Sequence, residues 1–285
     1  MAVELAADGV QVADRRRAHP ASEARLGQRL TPAAHSWRWA GARAVGTSHL
    51  ASGTPCQDAV AAREVVGPTG PVLVAAVADG AGSARWAGEG ARATARGFVR
   101  AAAEHIAAAG DLPSEERCRE WVERIRGEIA ELAEAKGDKP REFAATLVAA
   151  LVAADAAVIA HVGDGAAVVD QGDGWEAASW PAGGEYAGTT YFVTDRPRPR
   201  LVVNRLDRPI AALALFSDGI EALVLDETAR RPHPRFFDEM FAVMRAGEAA
   251  GCDRDLSRSL GRYLRRDALN ALTHDDKSLV LAVRR

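Results

Sequence analysis

The sequence predicts an α+β fold in which β-sheets pack on each other and helices lie outside them. Strand-length apolar runs come first, two long amphipathic helical patterns follow, and more strands and a helix-rich segment precede a closing strand. With 285 residues, 48% of them hydrophobic, the chain can bury one large core or two modest ones. No repeat or linker divides the folded part, so we expect a flexible leader over residues 1–35 and one domain over 36–285.

The first predicted strands enclose a loop rich in small residues. Alternating aromatic and polar residues start a strand at Ser36, and GTSHLASGTPCQDAV (46–60) predicts a loop after it. A second strand ends near Val66, where GPTGP (67–71) predicts a turn. The apolar run VLVAAVA (72–78) then predicts a strand that is buried on both faces.

Two helices are expected next. Small and apolar residues recur at 3.6-residue spacing over 86–109, which predicts a helix packed closely on a sheet. The pattern over 114–136 predicts a second helix, because Ser114 suits its N-cap and Gly137 suits its C-terminal end. The apolar stripe of this second helix consists of Trp121, Ile125, Ile129 and Leu132.

The next part of the chain is predicted to be mainly β. The strand-like runs are FAATLVAALVAAD, AAVIAHVGDG, AAVVDQGDGWEAASW and TTYFVT. Asp173-Gly174 lies between two short runs and predicts a plain hairpin turn. The stretch 183–207 has little periodicity and predicts a loop. Its basic run, Arg196 to Arg200, is typical of a solvated surface, with phosphate recognition as the alternative.

The last part of the chain is predicted to be mainly helical. The strand AALALFS (211–217) leads into a short helix over 218–225. Amphipathic patterns over 236–247 and 253–272 predict two more helices, and Ser278 starts the final strand, which ends at Val283.

Composition excludes several classes of function. The net charge of −3 gives no reason to expect nucleic acid or a membrane surface as a partner. No apolar run approaches the roughly 20 residues that a bilayer span needs, and the N-terminus lacks the pattern of a secretory signal. The three cysteines match neither a disulfide framework nor a zinc site. We therefore expect a cytoplasmic protein.

Carboxylates recur at the ends of apolar runs. Asp79, Asp164 and Asp218 each follow such a run and precede a glycine, and Asp275 and Asp276 stand directly before the last strand. Carboxylates that converge repel each other unless a cation neutralises them. Because all-oxygen sites select Mg²⁺ or Mn²⁺ over zinc, the pattern predicts such a site. The alternative is a set of unrelated surface turns.

Other catalytic patterns are absent from the sequence. There is no G-x-S-x-G elbow, no phosphate-binding G-x-x-x-x-G-K-[ST] loop and no complete G-x-G-x-x-G. His49 and His274 lie near the candidate loops and could transfer protons, whereas His161 in the middle of a strand is expected to belong to the core.

Six motifs, in order, resemble the type 2C family of metal-dependent protein phosphatases, and above all its bacterial branch with a CQDA first motif. They are PCQDA (55–59), VADGAGS (77–83), AATL (144–147), HVGDG (161–165), FSDGI (216–220) and DDKSLVLA (275–282). The resemblance implies a four-layer α-β-β-α sandwich of two antiparallel sheets flanked by helix pairs. The poorly periodic stretch 183–207 would be the variable flap over the site.

The resemblance also implies roles for individual residues. Asp79 would bridge two Mn²⁺ or Mg²⁺ ions, the Gly80 carbonyl would bind one of them, and Asp218 and Asp275 would complete the other. Asp164 would hold a weaker third ion together with Asp218. Asp58 would hold water beside the ions. A water activated at the two ions would attack a phosphoserine or phosphothreonine directly.

The sequence departs from the family pattern at several positions. Gln57 stands where many members have a glutamate next to the metal, and Gly53 stands where an arginine grips the substrate phosphate. His49, Arg85 and Arg43 are the candidates to replace that arginine, and Gln57 is, like His49 and Arg85, a candidate for substrate contact or proton transfer. Ala81 and Asp276 also differ, from the usual histidine and asparagine of many members.

The resemblance implies a serine/threonine protein phosphatase whose partners are a phosphorylated protein and a cognate kinase. A catalytically weak or inactive adaptor, which binds a phosphoprotein or a kinase, is the alternative that Gln57 and the missing arginine favour. Action on a small phosphorylated metabolite would use the same chemistry and is not distinguished by sequence.

Overall fold

Two β-sheets lie at the centre of the protein, and helices cover their outer faces. The computed structural model describes residues 37–182 and 190–285. The predicted leader, residues 1–35, lies outside the described residues. Within the described residues, no helix is both long enough and apolar enough to cross a membrane.

The first sheet has five strands in the order β2-β3-β4-β5-β8, and every neighbouring pair is antiparallel. Its strands are β2 (Ala59–Gly67), β3 (Gly70–Ala78), β4 (Leu147–Val152), β5 (Ala157–Val162) and β8 (Val202–Leu206). The alternation along β3 explains its apolar sequence. Leu73 and Val77 face the other sheet, whereas Val72 and Val74 face the helices, so both faces of this strand are buried as predicted.

The second sheet has six strands in the order β12-β1-β13-β9-β6-β7. Its neighbours are antiparallel except for the short parallel pair of β1 and β12. Its strands are β1 (Trp37–Ala44), β6 (Ala166–Asp170), β7 (Trp175–Ser179), β9 (Ala212–Phe216), β12 (Gly251–Cys252) and β13 (Lys277–Arg284). A separate two-stranded ribbon joins β10 (Leu225–Asp226) to β11 (Arg231–Pro232). The turn between β6 and β7 contains Asp173-Gly174, as predicted.

Seven α-helices connect and cover the described strands. They are α1 (Thr47–Ser52), α2 (Ala87–Ala109), α3 (Glu115–Ala135), α4 (Glu221–Val224), α5 (Pro234–Ala246), α6 (Arg254–Leu264) and α7 (Asp267–Asn270). Two 3₁₀ turns cover Pro140–Phe143 and Asp218–Ile220. At the start of α3 the Ser114 hydroxyl accepts a hydrogen bond from the Arg117 amide at 3.2 Å, which confirms the predicted N-cap.

Three apolar layers show how the elements stack. Trp37, Leu73 and Leu215 belong to the layer between the two sheets. A second layer joins the five-stranded sheet to α2 and α3, with Phe98 and Ile125 at its centre. A third, rich in phenylalanine, joins the six-stranded sheet to α5 and α6. Burying each large apolar side chain stabilises the fold by roughly 1.5–3 kcal/mol. The α-β-β-α prediction is confirmed.

Some local predictions were wrong. The predicted loop over 46–60 contains the helix α1, which ends at Gly53 in the left-handed region with φ 69°. TTYFVT forms no strand over its described residues. Its backbone amides bond elsewhere: the Val193 amide donates a hydrogen bond to the Ala145 carbonyl, and the Phe192 amide donates one to the Asp195 side chain.

Two further corrections concern β8 and the last helices. The predicted irregular stretch 183–207 contains β8, an edge strand whose polar residues obscure the pattern. The single helix predicted over 253–272 is two helices, because the backbone at Arg266 is extended, with ψ 142°.

Candidate metal and catalytic site

Three carboxylates, one buried (Asp58) and two half-buried (Asp79 and Asp218), meet where strands of both sheets begin or end. Asp58 precedes β2, Asp79 follows β3, and Asp218 follows β9. Burial raises the pKa of Asp79 well above its usual range, and the neighbouring charges of Asp58 and Asp218 raise it further. The three residues are far apart in the sequence, and the fold brings them close enough for their charges to affect one another.

Asp164 and Asp275 extend this group on the Asp218 side. Burial raises the pKa of Asp218 to about 7, and Asp164 and Asp275 both contribute. Burial also raises the pKa of Asp164, although the Thr190 hydroxyl donates a hydrogen bond to it and opposes that shift. We call Asp58, Asp79, Asp164, Asp218 and Asp275 the carboxylate cluster.

Hydroxyl groups from neighbouring strands hold Asp58 and Asp79 in place. The Ser217 hydroxyl donates to Asp58 Oδ2 at 2.8 Å and accepts from the Ser278 amide at 3.0 Å. Burial raises the pKa of Asp58 to about 6 in spite of these bonds. The Thr146 hydroxyl accepts from the Asp79 amide at 3.0 Å, and the Thr146 amide donates to the Asp79 carbonyl at 2.8 Å. Sequence reasoning named motifs that contain these hydroxyl residues but gave the hydroxyls no role.

Glycines allow the backbone segments of the cluster to approach each other. A Cβ on Gly219 would lie 1.8 Å from the Asp276 carbonyl oxygen, and one on Gly46 would lie 2.3 Å from the Asp275 carbonyl carbon. Gly80 pairs with Ala145 in an isolated bridge, and a Cβ there would lie 2.7 Å from the backbone of Ala87. The Asp-Gly pattern therefore reflects close backbone packing as well as turn formation.

Asp276 is a structural link rather than a member of the cluster. Its carboxylate accepts hydrogen bonds from the amides of Gly46, at 2.6 Å, and Gln57. His49 Nδ1 lies 3.0 Å from Asp276 Oδ2. This buried carboxylate thus connects the loop before β2 to the start of β13. His49, a candidate for substrate contact or proton transfer, lies at this link.

The two arginine candidates are engaged elsewhere. Arg43 donates to the carbonyls of Cys56, at 3.1 Å, and Asp58, at 2.7 Å, so it holds the CQDA loop. Arg85 is 71% exposed, and its guanidinium lies 3.7 Å from Asp138 Oδ2. Neither arginine contacts a side chain of the cluster in the arrangement described, and their proposed contact with substrate stays a prediction.

The histidine candidates His161 and His274 have different surroundings. His161 is buried in β5, and burial lowers its pKa to about 4, so it is neutral near pH 7 and belongs to the core as predicted. His274 forms a hydrogen bond through Nδ1 with the Thr47 hydroxyl at 2.8 Å.

Sequence reasoning missed Lys277, which is fully buried and donates from Nζ to the Asp275 carbonyl at 3.0 Å. Burial lowers its pKa, and the acidic neighbours oppose this shift.

The polar atoms of the site fit a hard cation. Gln57 Oε1, Asp58 Oδ1 and Asp218 Oδ1 are buried oxygens without a hydrogen-bond partner among the described residues, and oxygen ligands are what Mg²⁺ and Mn²⁺ prefer. In residues 37–182 and 190–285, no three carboxylate, imidazole or thiolate groups already enclose one ion. Binding of a metal ion would therefore draw the carboxylates closer together. The positive charge of the ion would offset the repulsion between these carboxylates.

Comparisons with known proteins indicate a family and a fold. The family model described as Protein phosphatase 2C matches residues 45–265. The chain is 34% identical over 255 residues to serine/threonine-protein phosphatase 3 of Escherichia coli strain K12. That alignment covers 87% of this chain and 98% of the relative.

Solved structures share the fold at lower sequence identity. The catalytic domain of serine threonine protein phosphatase PstP, in complex with two manganese ions, is 17% identical with a TM-score of 0.57, covering 88% of this chain and 99% of that one. Serine/threonine phosphatase Stp1 from Staphylococcus aureus is 18% identical with a TM-score of 0.54, covering 92% and 98%. These two likenesses support the two-sheet sandwich.

Proposed function

Because the chain belongs to the protein phosphatase 2C family, we propose that it hydrolyses phosphoserine and phosphothreonine in proteins at a binuclear Mn²⁺ or Mg²⁺ centre. The observation that carries the proposal is the carboxylate cluster, in which strands of both sheets deliver buried and partly unpartnered oxygens to one place. A phosphorylated protein and a cognate kinase are the partners that this activity would need, and the cytoplasm is the expected location.

The proposal assigns each ligand from the family resemblance. Asp79 would bridge the two ions, with the Gly80 carbonyl on one ion and Asp218 and Asp275 on the other. Asp164 would hold a weaker third ion together with Asp218. When bound, such ions lower the pKa of a shared water and make it a nucleophile for the phosphoryl group. The relative PstP has been solved with two manganese ions, which supports this choice of metal.

The residues around the ligands would fix the geometry of attack. Asp58 is held by Ser217 and would orient water beside the ions. Thr146 bonds to both the amide and the carbonyl of Asp79, which would fix the backbone from which this carboxylate reaches the ions. The raised pKa values mean that several of these aspartates are not easily ionised together in the absence of a cation. Bound ions would favour the ionised carboxylates, and the ionised carboxylates would in turn favour binding of the ions.

The adaptor reading is the second candidate. Two observations favour it. Gln57 is neutral and stands at the position of a metal-proximal glutamate. Gly53 stands at the position of the phosphate-gripping arginine and is exposed, and a Cβ there would meet no atom within 4 Å. A protein with a weakened centre could still bind a phosphoprotein or a kinase. Calorimetric titration with Mn²⁺ separates the two functions, because an adaptor without the centre would bind no Mn²⁺ at millimolar concentration.

The decisive experiment is hydrolysis of a phosphothreonine peptide in the presence of Mn²⁺. We expect Asp79→Asn and Asp218→Asn to lower kcat about a hundredfold or more, because each removes charge that holds the ions. Asp173→Asn, in the exposed hairpin turn between β6 and β7, is the matched control and should retain the wild-type rate. Equal rates for Asp79→Asn and the wild type would contradict the proposed function.

A further inference from the structure

A groove of about 650 Å³ opens beside the carboxylate cluster. Residues of three segments line it: 81–84 after β3, 139–144 before β4, and 192–196 beyond β7. Backbone hydrogen bonds join these segments, from the Ala81 amide to the Ala144 carbonyl and from the Val193 amide to the Ala145 carbonyl, both at 2.9 Å. The residues of the cluster do not line the groove, but Ala81 follows Asp79 by two residues, so one end of the groove lies within two residues of the cluster. We call it the basic groove.

The charges of the basic groove are unevenly matched. Lys139, Arg141 and Arg196 supply three cations, and Glu142 and Asp195 supply two carboxylates. Glu142 is paired with the cation Arg141, whereas Asp195 keeps its negative charge, because an amide hydrogen bond does not neutralise a carboxylate; these five side chains together leave one net positive charge. Asp195 Oδ2 accepts from the Phe192 amide at 2.8 Å, whereas Glu142 accepts from the side chain of Arg141 at 3.1 Å and from the amide of Arg85 at 3.3 Å.

Two cations consequently remain available to a ligand. Lys139 and Arg196 are exposed and have no carboxylate within 4.0 Å among the described residues. They come from different lining segments, Lys139 before β4 and Arg196 beyond β7. A cation on each of two segments favours a ligand that carries negative charge along the groove, rather than one small anion at a single point.

The wall that carries Arg196 is anchored to the helical layer. The Arg126 guanidinium, from α3, donates to the carbonyls of Val193, at 2.8 Å, and Asp195, at 2.6 Å. The floor is partly apolar, with Pro140 and Phe192 among the lining residues. Anchored walls and a mixed floor suit an extended polypeptide, since less ordering is needed when it binds.

We propose that the basic groove selects phosphoprotein segments that carry acidic residues next to the phosphorylated side chain. The proposal rests on the proposed function, which places the phosphate at the carboxylate cluster. The substrate polypeptide would run from the phosphorylated residue through the groove and would bring an aspartate or glutamate to Lys139 and Arg196. The protein has a net charge of −3, so this selectivity comes from a local pair of cations and weakens as salt screens it.

The test compares two phosphothreonine peptides that differ only by glutamate or glutamine on either side of the phosphothreonine. We expect the wild type to favour the acidic peptide roughly fivefold in kcat/KM at low salt, as two exposed ion pairs would give. The double variant Lys139→Glu, Arg196→Glu should lose or reverse this preference. Arg254→Glu, which reverses the charge of an exposed arginine at the start of α6 and outside the groove lining, is the control and should keep it.

A small substrate separates this proposal from the proposed function. The wild type and both of these variants should hydrolyse p-nitrophenyl phosphate at similar rates, because that molecule does not reach along the groove. Equal kcat/KM for the two peptides with the wild type, or a retained acidic preference in the double variant, would overturn the groove proposal alone. If the wild type with Mn²⁺ hydrolyses neither the peptides nor the small substrate, the proposed function fails, and the groove proposal fails with it.

Discussion

The carboxylate cluster and the basic groove adjoin each other, but different parts of the structure hold them. Both sheets supply the cluster, and buried hydroxyl groups and amides fix its side chains, as Ser217 fixes Asp58. The groove is lined by loops, and its available cations, Lys139 and Arg196, are exposed. Substitutions in the cluster therefore disturb the fold and the chemistry together, whereas substitutions in the groove can change recognition while the fold stays intact.

A pair of glycine substitutions gives the largest expected contrast between the two regions. In Gly219→Ala the new Cβ would lie 1.8 Å from the Asp276 carbonyl oxygen, so backbone must move at the cluster. We expect a loss of about 3 kcal/mol or more in the free energy of unfolding, which corresponds to roughly 6–12 °C in Tm. Activity should fall as well.

Gly82→Ala is the matched control on the groove side. No atom lies within 4 Å of a Cβ placed on Gly82, which is exposed beside the groove. Its Tm should stay within about 2 °C of the wild type, as surface substitutions usually do. Thermal unfolding of both variants checks the prediction, and equal losses would show that the two regions are constrained alike.

The second prediction concerns the cluster without metal. Burial raises the pKa of Asp218 from 3.8 to about 7 and that of Asp58 to about 6. The folded state therefore binds protons more tightly than the unfolded chain. This contribution to stability is fully present below the unfolded pKa near 4 and is lost as the pH rises through about 7. In a chelator, Tm should fall by several degrees from about pH 5.5 to about pH 8.

Two comparisons sharpen this pH prediction. Adding Mn²⁺ at about pH 8 should restore the lost Tm, because the ion replaces the protons. Asp218→Asn should flatten the dependence in the chelator, since it removes one of the titrating groups. The exposed Lys139→Glu substitution in the groove should leave the slope unchanged. A metal-free Tm that rises between these pH values would contradict the raised pKa values.

The sequence predicted the architecture and the cluster far better than the groove and the links between segments. The strands could be recognised because apolar runs such as 72–78 are buried on both faces. Asp79, Asp164 and Asp218 could be recognised because each follows such a run, whereas Asp58 was named only through the family resemblance. Asp276 could not be understood this way, since its partners, the amides of Gly46 and Gln57, lie more than 200 residues away in the chain. The groove walls, likewise, depend on contacts such as that of Arg126 with Val193.

The smallest expected effect separates the two readings of Gln57. Its Oε1 atom is buried without a hydrogen-bond partner among the described residues, near Asp58. If it faces the ions, Gln57→Glu adds a charged ligand, and we expect Mn²⁺ to bind about tenfold more tightly, which corresponds to about 1.4 kcal/mol. The same change should lower Tm in a chelator, because it adds another buried carboxylate.

Calorimetric titration with Mn²⁺ measures this change in affinity directly. Gln57→Ala removes the oxygen without adding charge, and it should bind Mn²⁺ more weakly than the wild type if the amide oxygen is a ligand. Equal affinity in Gln57→Glu, Gln57→Ala and the wild type would mean that this side chain does not reach the ions. In that case the neutral residue would no longer favour the adaptor reading, because the position would not govern metal binding at all.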